Sequence, residues 1–333
     1  MYYDDLNERQ FLQIINAEHL MQATAGFRMR AEAYRGGMRW RVRSDADHLV
    51  RTAPDGTQRQ LGTRSPETET IYTNFSKEKK SARESLATVG SMMAETERMN
   101  RALRVGRCPR VIVVILNAIQ GRKLQENFTA IGTTALYGYE ALAGVRFRDD
   151  VIGVDSRSRS RRSYRKSNVT FAVTADIADN AITHILAKAD PTFRMDDGPS
   201  ICAMNASGDI VNILRSSPLV HDLAGDLSKQ TPDADAFWTE PSKNLNWLLR
   251  APKVRQVVVG ANGRLVEIMV PDPRAFVLSA IWRSEARLGN TEQRVRNVLQ
   301  ARAVAHLIDN HLPQYRFLTP PPKFPNFVEL YSV

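Results

Sequence analysis

The chain has 333 residues, 43% of them hydrophobic and 25% charged, which is enough apolar content to bury a core in two or three domains and too much for a disordered chain. Only Cys108 and Cys202 are present, which excludes a disulfide framework or a cysteine zinc site and fits a reducing cytoplasm. A formal charge of +10 favours an anionic partner, whether nucleic acid, nucleotide or acidic protein surface, without choosing among them.

The N-terminus, MYYDDLNERQ, is acidic where an export signal would be basic and then apolar. Leu6, Phe11, Ile14, Ile15, Leu20 and Met21 recur at helical spacing, predicting one or two amphipathic helices over residues 4–35. Next, MRWRVR and DHLVRT alternate apolar with polar residues, and Pro54-Asp55-Gly56-Thr57 supplies turn chemistry before QRQLG. This predicts a small antiparallel sheet at about residues 38–62. Ser65-Pro66-Glu67-Thr68-Glu69 then joins a capping residue, a proline at the first helical position and early carboxylates. A long polar helix to about Leu103 should follow, completing an N-terminal region of residues 1–104.

From Arg107 the composition shifts to apolar and β-branched runs separated by turns: VIVVIL, NVTFAVTADI, DIVNIL, RQVVVG and RLVEIMV. Read as strands with helices between them, they predict an α+β domain around one mixed sheet, residues 105–273. The longest apolar run, Val111 to Leu116, falls far short of the roughly 20 residues a membrane-spanning helix needs. Residues 274–333 hold two amphipathic stretches, RAFVLSAIWRSEARL and TEQRVRNVLQARAVAHLIDNHL, and a proline-rich tail expected to be extended. The histidines are scattered, and no serine sits in a nucleophile-elbow context.

One element carries a resemblance. Ile131-Gly132-Thr133-Thr134-Ala135-Leu136-Tyr137-Gly138-Tyr139-Glu140, followed by Ala143-Gly144-Val145-Arg146-Phe147, resembles the GT-x-AL-x-x-YE element of a bacterial family of nucleotidyltransferase-like proteins. MRWRV, QLGTRSPETE, NRALRVGRCPR and VPDPRAFVL also look like segments of that family, so the likeness runs over about residues 35–315. The resemblance implies the DNA polymerase β type of nucleotidyltransferase core, an α+β fold in which a strand enters a Gly-Thr turn and then a helix. Glycine there lets the backbone approach a triphosphate, and threonine and helix-start amides donate to it, which makes Gly132, Thr133 and Thr134 the nucleotide candidates.

Such enzymes hold two Mg²⁺ or Mn²⁺ ions between carboxylates at i and i+2 on one strand and a third on a neighbouring strand, and the metals supply most of the catalysis of phosphoryl transfer. The family pattern fits Asp149, Asp155 and Arg157, while its second carboxylate falls on Val151, with Asp150 adjacent. Asp149, Asp150 and Asp155 are thus the metal candidates, and Asp149 and Asp155 the catalytic ones. The third carboxylate position falls on Asn212, an expected lysine on Ala280 and an expected acid on Asn297.

A further feature is basic. Arg157, Arg159, Arg161, Arg162, Arg165 and Lys166 place six cations in ten residues around Tyr164, a composition suited to phosphate contacts with RNA or DNA and equally compatible with a solvated loop. Two functional readings follow. In one, the protein transfers a nucleoside monophosphate from a triphosphate to a hydroxyl acceptor. In the other, it is a catalytically inactive relative that uses its surface to bind nucleic acid or a partner protein.

Overall fold

The computed structural model describes residues 1–43, 46–153, 167–174, 176–196, 201–215, 241–285 and 291–317. The basic segment from Arg157 to Lys166, Asp155 and the proline-rich tail lie outside the described residues. Contacts gather the chain into two compact units, one of residues 12–103 and one of residues 1–11 with 104–333.

In the first of these, β2 (Gly37–Arg43), β3 (Ala46–Thr52) and β4 (Gln58–Thr63) form the expected antiparallel sheet in the order β2-β3-β4. Helix α1 (Glu8–Ala33) reaches into this unit and runs antiparallel to α2 (Pro66–Ala102). The direction follows from the cross-links: Gln13 donates to Asn100, Arg30 pairs with Glu78, and Tyr34 meets Phe75. Both helices start on reciprocal caps. Asn7 and Gln10 exchange backbone-to-side-chain bonds of 3.0 and 3.3 Å, and Ser65 and Thr68 do the same at 3.3 and 2.8 Å.

The other unit is built on a five-stranded mixed sheet in the order β5-β7-β10-β9-β8. Its strands are β5 (Phe128–Ala130), β7 (Asn168–Val173), β8 (Arg194–Met195), β9 (Ile201–Met204) and β10 (Ile210–Arg215). Strands β7 and β10 pair in parallel, and the remaining pairs are antiparallel. On one face Val169, Phe171, Val173, Val211 and Ile213 enter the main core, which also takes side chains from α3 (Arg110–Gln120) and α5 (Asp179–Ala189). Burial of Phe171 alone contributes about 1.5–3 kcal/mol. On the other face Ala172 joins a second cluster with Ile131, Ala275 and Leu248, the last from α6 (Pro241–Arg250).

Helix α3 corrects one expectation. VIVVIL is helical, not a strand: the run continues through Asn117 and Gln120 after Pro109, and the outer side marked by Arg110 and Asn117 passes through the run at an apolar residue, Val114, so the six residues alone do not reveal their period. A short continuous apolar run reads alike in either conformation. The other runs hold as expected in β7, β10, β11 (Lys253–Val259) and β12 (Leu265–Pro271), the last two forming an antiparallel ribbon. Helices α7 (Pro273–Glu285) and α8 (Thr291–His311) pack on each other. The N-terminus adds a strand that was not expected: β1 (Tyr3–Asp5) pairs with β6 (Val145–Phe147).

Candidate nucleotide site

Strand β5 ends at Ala130, and the chain turns through Gly132 into α4 (Thr133–Ala143). Gly132 has φ +56° and ψ −141°, a conformation nearly confined to glycine. Two hydrogen bonds stitch this turn to β7: Ile131 N donates to Thr170 O at 3.1 Å, and Thr170 N donates to Thr134 Oγ1 at 2.9 Å. Thr134 is buried, so its hydroxyl serves the strand. Thr133 is half-buried and accepts from Gln300 Nε2 at 3.0 Å. The same Gln300 nitrogen donates to Val151 O at 3.0 Å, which draws the turn after β6 beside the Gly-Thr turn.

The rest of the GT-x-AL-x-x-YE element is explained by packing. A Cβ at Gly138 would lie 2.6 Å from Val270 Cγ1, so only glycine lets α4 approach β12 so closely. Tyr139 donates its hydroxyl to Pro271 O at 2.8 Å. The Glu140 carboxylate accepts from Phe147 N at 2.7 Å and from Arg107, tying α4 to β6. Burial lifts the Glu140 carboxyl above its ordinary range, outweighing the opposing pull of Arg107.

Over the turn lies a cation. Arg283, near the end of α7, brings its guanidinium to where a Cβ on Gly132 would lie 3.7 Å from it. The residue keeps partial solvent access, yet its Nε is enclosed and without a hydrogen-bond partner among the described residues. Burial pushes its pKa down to about 10, so it remains charged at neutral pH. Arg283 stands one helical turn beyond Ala280, the position where the resemblance implies a lysine. A second guanidinium, that of Arg296, packs on Gly153 and pairs with Glu292 at 3.1 Å.

The acidic half of the site is different. Asp149 and Asp150 lie in a turn after β6, not on a strand, so the alternation that would place carboxylates on one face does not operate there. Asp149 sits 3.4 Å from Arg107, and Asp150 sits 3.5 Å from Arg148 and caps its own turn by accepting from Val151 N at 3.1 Å. The strand stitched to the Gly-Thr turn is β7. Its alternation puts Asn168 and Thr170 on the face that carries Ala172. In the parallel register Asn212 of β10 stands opposite Thr170, and its Nδ2 donates to Asn168 Oδ1 at 2.8 Å.

The i and i+2 positions on β7 and the neighbouring position on β10, the arrangement that the resemblance would fill with carboxylates, are here two amides and a hydroxyl. Neutral oxygens supply no charge against a dication's hydration, so these residues do not fit a pair of Mg²⁺ ions. Among the described residues no group of three His, Cys, Asp or Glu side chains is placed to hold a metal ion. Nothing in the local pattern marks Asn168 and Thr170, because β7 reads as an ordinary buried strand until the turn is stitched to it. Gln300 and Arg283 are likewise brought in by the packing of α7 and α8, although an arginine in the apolar stretch AFVLSAIWRS is a visible signal.

A mixed sheet whose strand feeds a Gly-Thr turn and a helix defines a nucleotidyltransferase core. A nucleotidyltransferase family model matches residues 110–318, and the chain belongs to that family. Comparison with curated proteins and with solved structures returned no match. No helix among the described residues is long and apolar enough to cross a membrane.

Proposed function

We propose that this protein is a non-catalytic member of its family, one that still receives the phosphates of a nucleoside triphosphate at the Gly132 turn and acts as a nucleic-acid- or protein-binding module. The observation that carries this is the neutral trio Asn168, Thr170 and Asn212 beside an intact turn. Gly132 opens the backbone, Thr133 and the first amides of α4 offer donors, and Arg283 supplies positive charge without a metal. The basic segment Arg157, Arg159, Arg161, Arg162, Arg165 and Lys166 provides the nucleic-acid contacts in this reading. The free cysteines, Cys108 and Cys202, support a reducing, cytoplasmic setting.

The active reading keeps one supporting observation. Gln300 bridges Thr133 and Val151, so Asp149 and Asp150 lie on a turn adjacent to the phosphate-binding turn, and Asp155 follows shortly in the chain. Those three residues would then hold Mg²⁺ or Mn²⁺ for transfer of a nucleoside monophosphate to a hydroxyl.

Calorimetric titration with ATP separates the two. The non-catalytic reading expects equal affinity in Mg²⁺ and in chelator, with binding weakened at least tenfold by Arg283→Gln and also reduced by Thr133→Ala. A strict requirement for Mg²⁺ or Mn²⁺ would favour the enzyme. No binding under any condition would remove the nucleotide from the proposal.

A further inference from the structure

The three-stranded sheet of residues 37–63 carries a cationic face that the nucleotide site does not involve. Alternation along the edge strand β2 places Arg39, Arg41 and Arg43 on one side, opposite Val50, His48 and Ala46 of β3. Residues two apart on an antiparallel strand are separated by about 6.8 Å, so the three arginines leave the strand on one side at even intervals. All three are exposed, and none has an ion pair or hydrogen bond among the described residues. Such a row of like charges on one strand is unfavourable for the isolated protein.

The neighbouring strands extend the same face. Gln60 pairs in register with Val50 and Gln58 with Thr52, and Gln60 Nε2 lies 2.7 Å from His48 Nδ1. Together Arg41, Arg43, His48, Val50, Gln58 and Gln60 line an open groove of about 510 Å³, to which the exposed Val42 contributes from the strand's edge. The reverse of the sheet is already occupied. There Trp40 meets Tyr72 of α2, Arg51 stacks over Phe75, and Arg64 binds Asp47 and lies over Trp40. Asp47 therefore faces away from the arginine row, and the described positions of the open face include no acid.

We infer that this face is a docking surface for single-stranded RNA. One line of cations suits the phosphates of one strand, and bidentate guanidiniums are the side chains best matched to them. Across the groove, Gln58 and the His48–Gln60 pair offer amide and imidazole groups that can exchange hydrogen bonds with ribose 2′-hydroxyls, the feature that separates RNA from DNA. The described positions of the open face carry no Phe, Tyr or Trp, and the imidazole of His48 is engaged by Gln60, so base stacking contributes little and binding is independent of sequence. The inference concerns a surface apart from the Gly132 turn and holds whether or not that turn binds nucleotide.

The test uses the full chain and a labelled oligouridylate of about 12 nucleotides, read by fluorescence anisotropy over a range of salt. Replacing Arg39, Arg41 and Arg43 together with glutamine is expected to weaken binding at least tenfold and to flatten the slope of log K against log salt by about two. The matching triple lysine variant should keep the slope, which separates loss of charge from loss of fold. ATP affinity of the glutamine variant should equal that of the parent, so failure here and failure of the nucleotide site are distinguishable. Undiminished RNA binding by the glutamine variant overturns the inference. Equal affinity for the corresponding deoxyoligonucleotide, or preference for a duplex, overturns it as well.

Discussion

The two halves of the candidate site differ in charge. Around Gly132 stand a glycine with positive φ, the start of an eleven-residue helix and a guanidinium above the turn. On β7 and β10 the facing positions are neutral, with Asn168 and Asn212 joined by a hydrogen bond. The difference teaches that recognition of an anion and activation of it are separable. The first needs a backbone shape and one cation, whereas the second needs several carboxylates, each of them costly without a metal.

The comparison can be broken most sharply on the strand side. Changing Asn168 and Asn212 to aspartate sets two carboxylates where a 2.8 Å hydrogen bond now lies, a repulsion on the order of 1–4 kcal/mol between water-like and protein-like surroundings. The double variant should melt several degrees lower in chelator and recover in Mg²⁺. Adding Thr170→Asp should strengthen that recovery. A melting temperature indifferent to Mg²⁺ would mean that these positions do not converge on a metal site.

On the turn side, Gly132→Ala meets no steric neighbour closer than Arg283, so its effect isolates backbone strain. The expected cost is about 1–3 kcal/mol. ATP affinity should fall with stability, whereas a variant as stable and as tight-binding as the parent would deny the turn its role. The smallest change tests the link between the halves. Gln300→Leu removes the donor shared by Thr133 and Val151, at about 1 kcal/mol for each net hydrogen bond. Thermal melts and ATP titration should both register it, and no change in either would show that the bridge is idle.

What could be read in advance followed the range of the signal. The helix from Pro66 and the sheet at residues 37–63 rest on caps, turns and alternation within a few residues, so the sequence displays them. The nucleotidyltransferase core was legible because Gly132 answers a specific backbone demand and Gly138, Tyr139 and Glu140 specific packing demands. Helix α3 was misread because its outward position within the run is held by an apolar residue, Val114, which hides the helical period. The acidic strand was expected at Asp149 because aspartates stand there, whereas the strand beside the turn is set by a bond between Thr134 and Thr170, thirty-six residues apart. The strand around Asn212 was visible, since it lies in a plain strand pattern. Arg283 owes its place to the packing of a helix more than a hundred residues downstream, and no local pattern encodes that.

The pairing of β1 with β6 has a consequence for how the molecule is made. Tyr3 bonds to β6 across 144 residues and its hydroxyl meets His306 Nδ1 at 2.9 Å across 303, so the nucleotidyltransferase unit closes only when the two extremes of the described chain are both available. The unit of residues 12–103 lies wholly between them and draws on nearer neighbours. During synthesis it can finish folding while the edge of β6 does not yet exist, and the first strand must wait, unpaired, until residues 145–147 have emerged. Until then both partner edges stand open, and the pairing of the first few residues is a long-range closure made late.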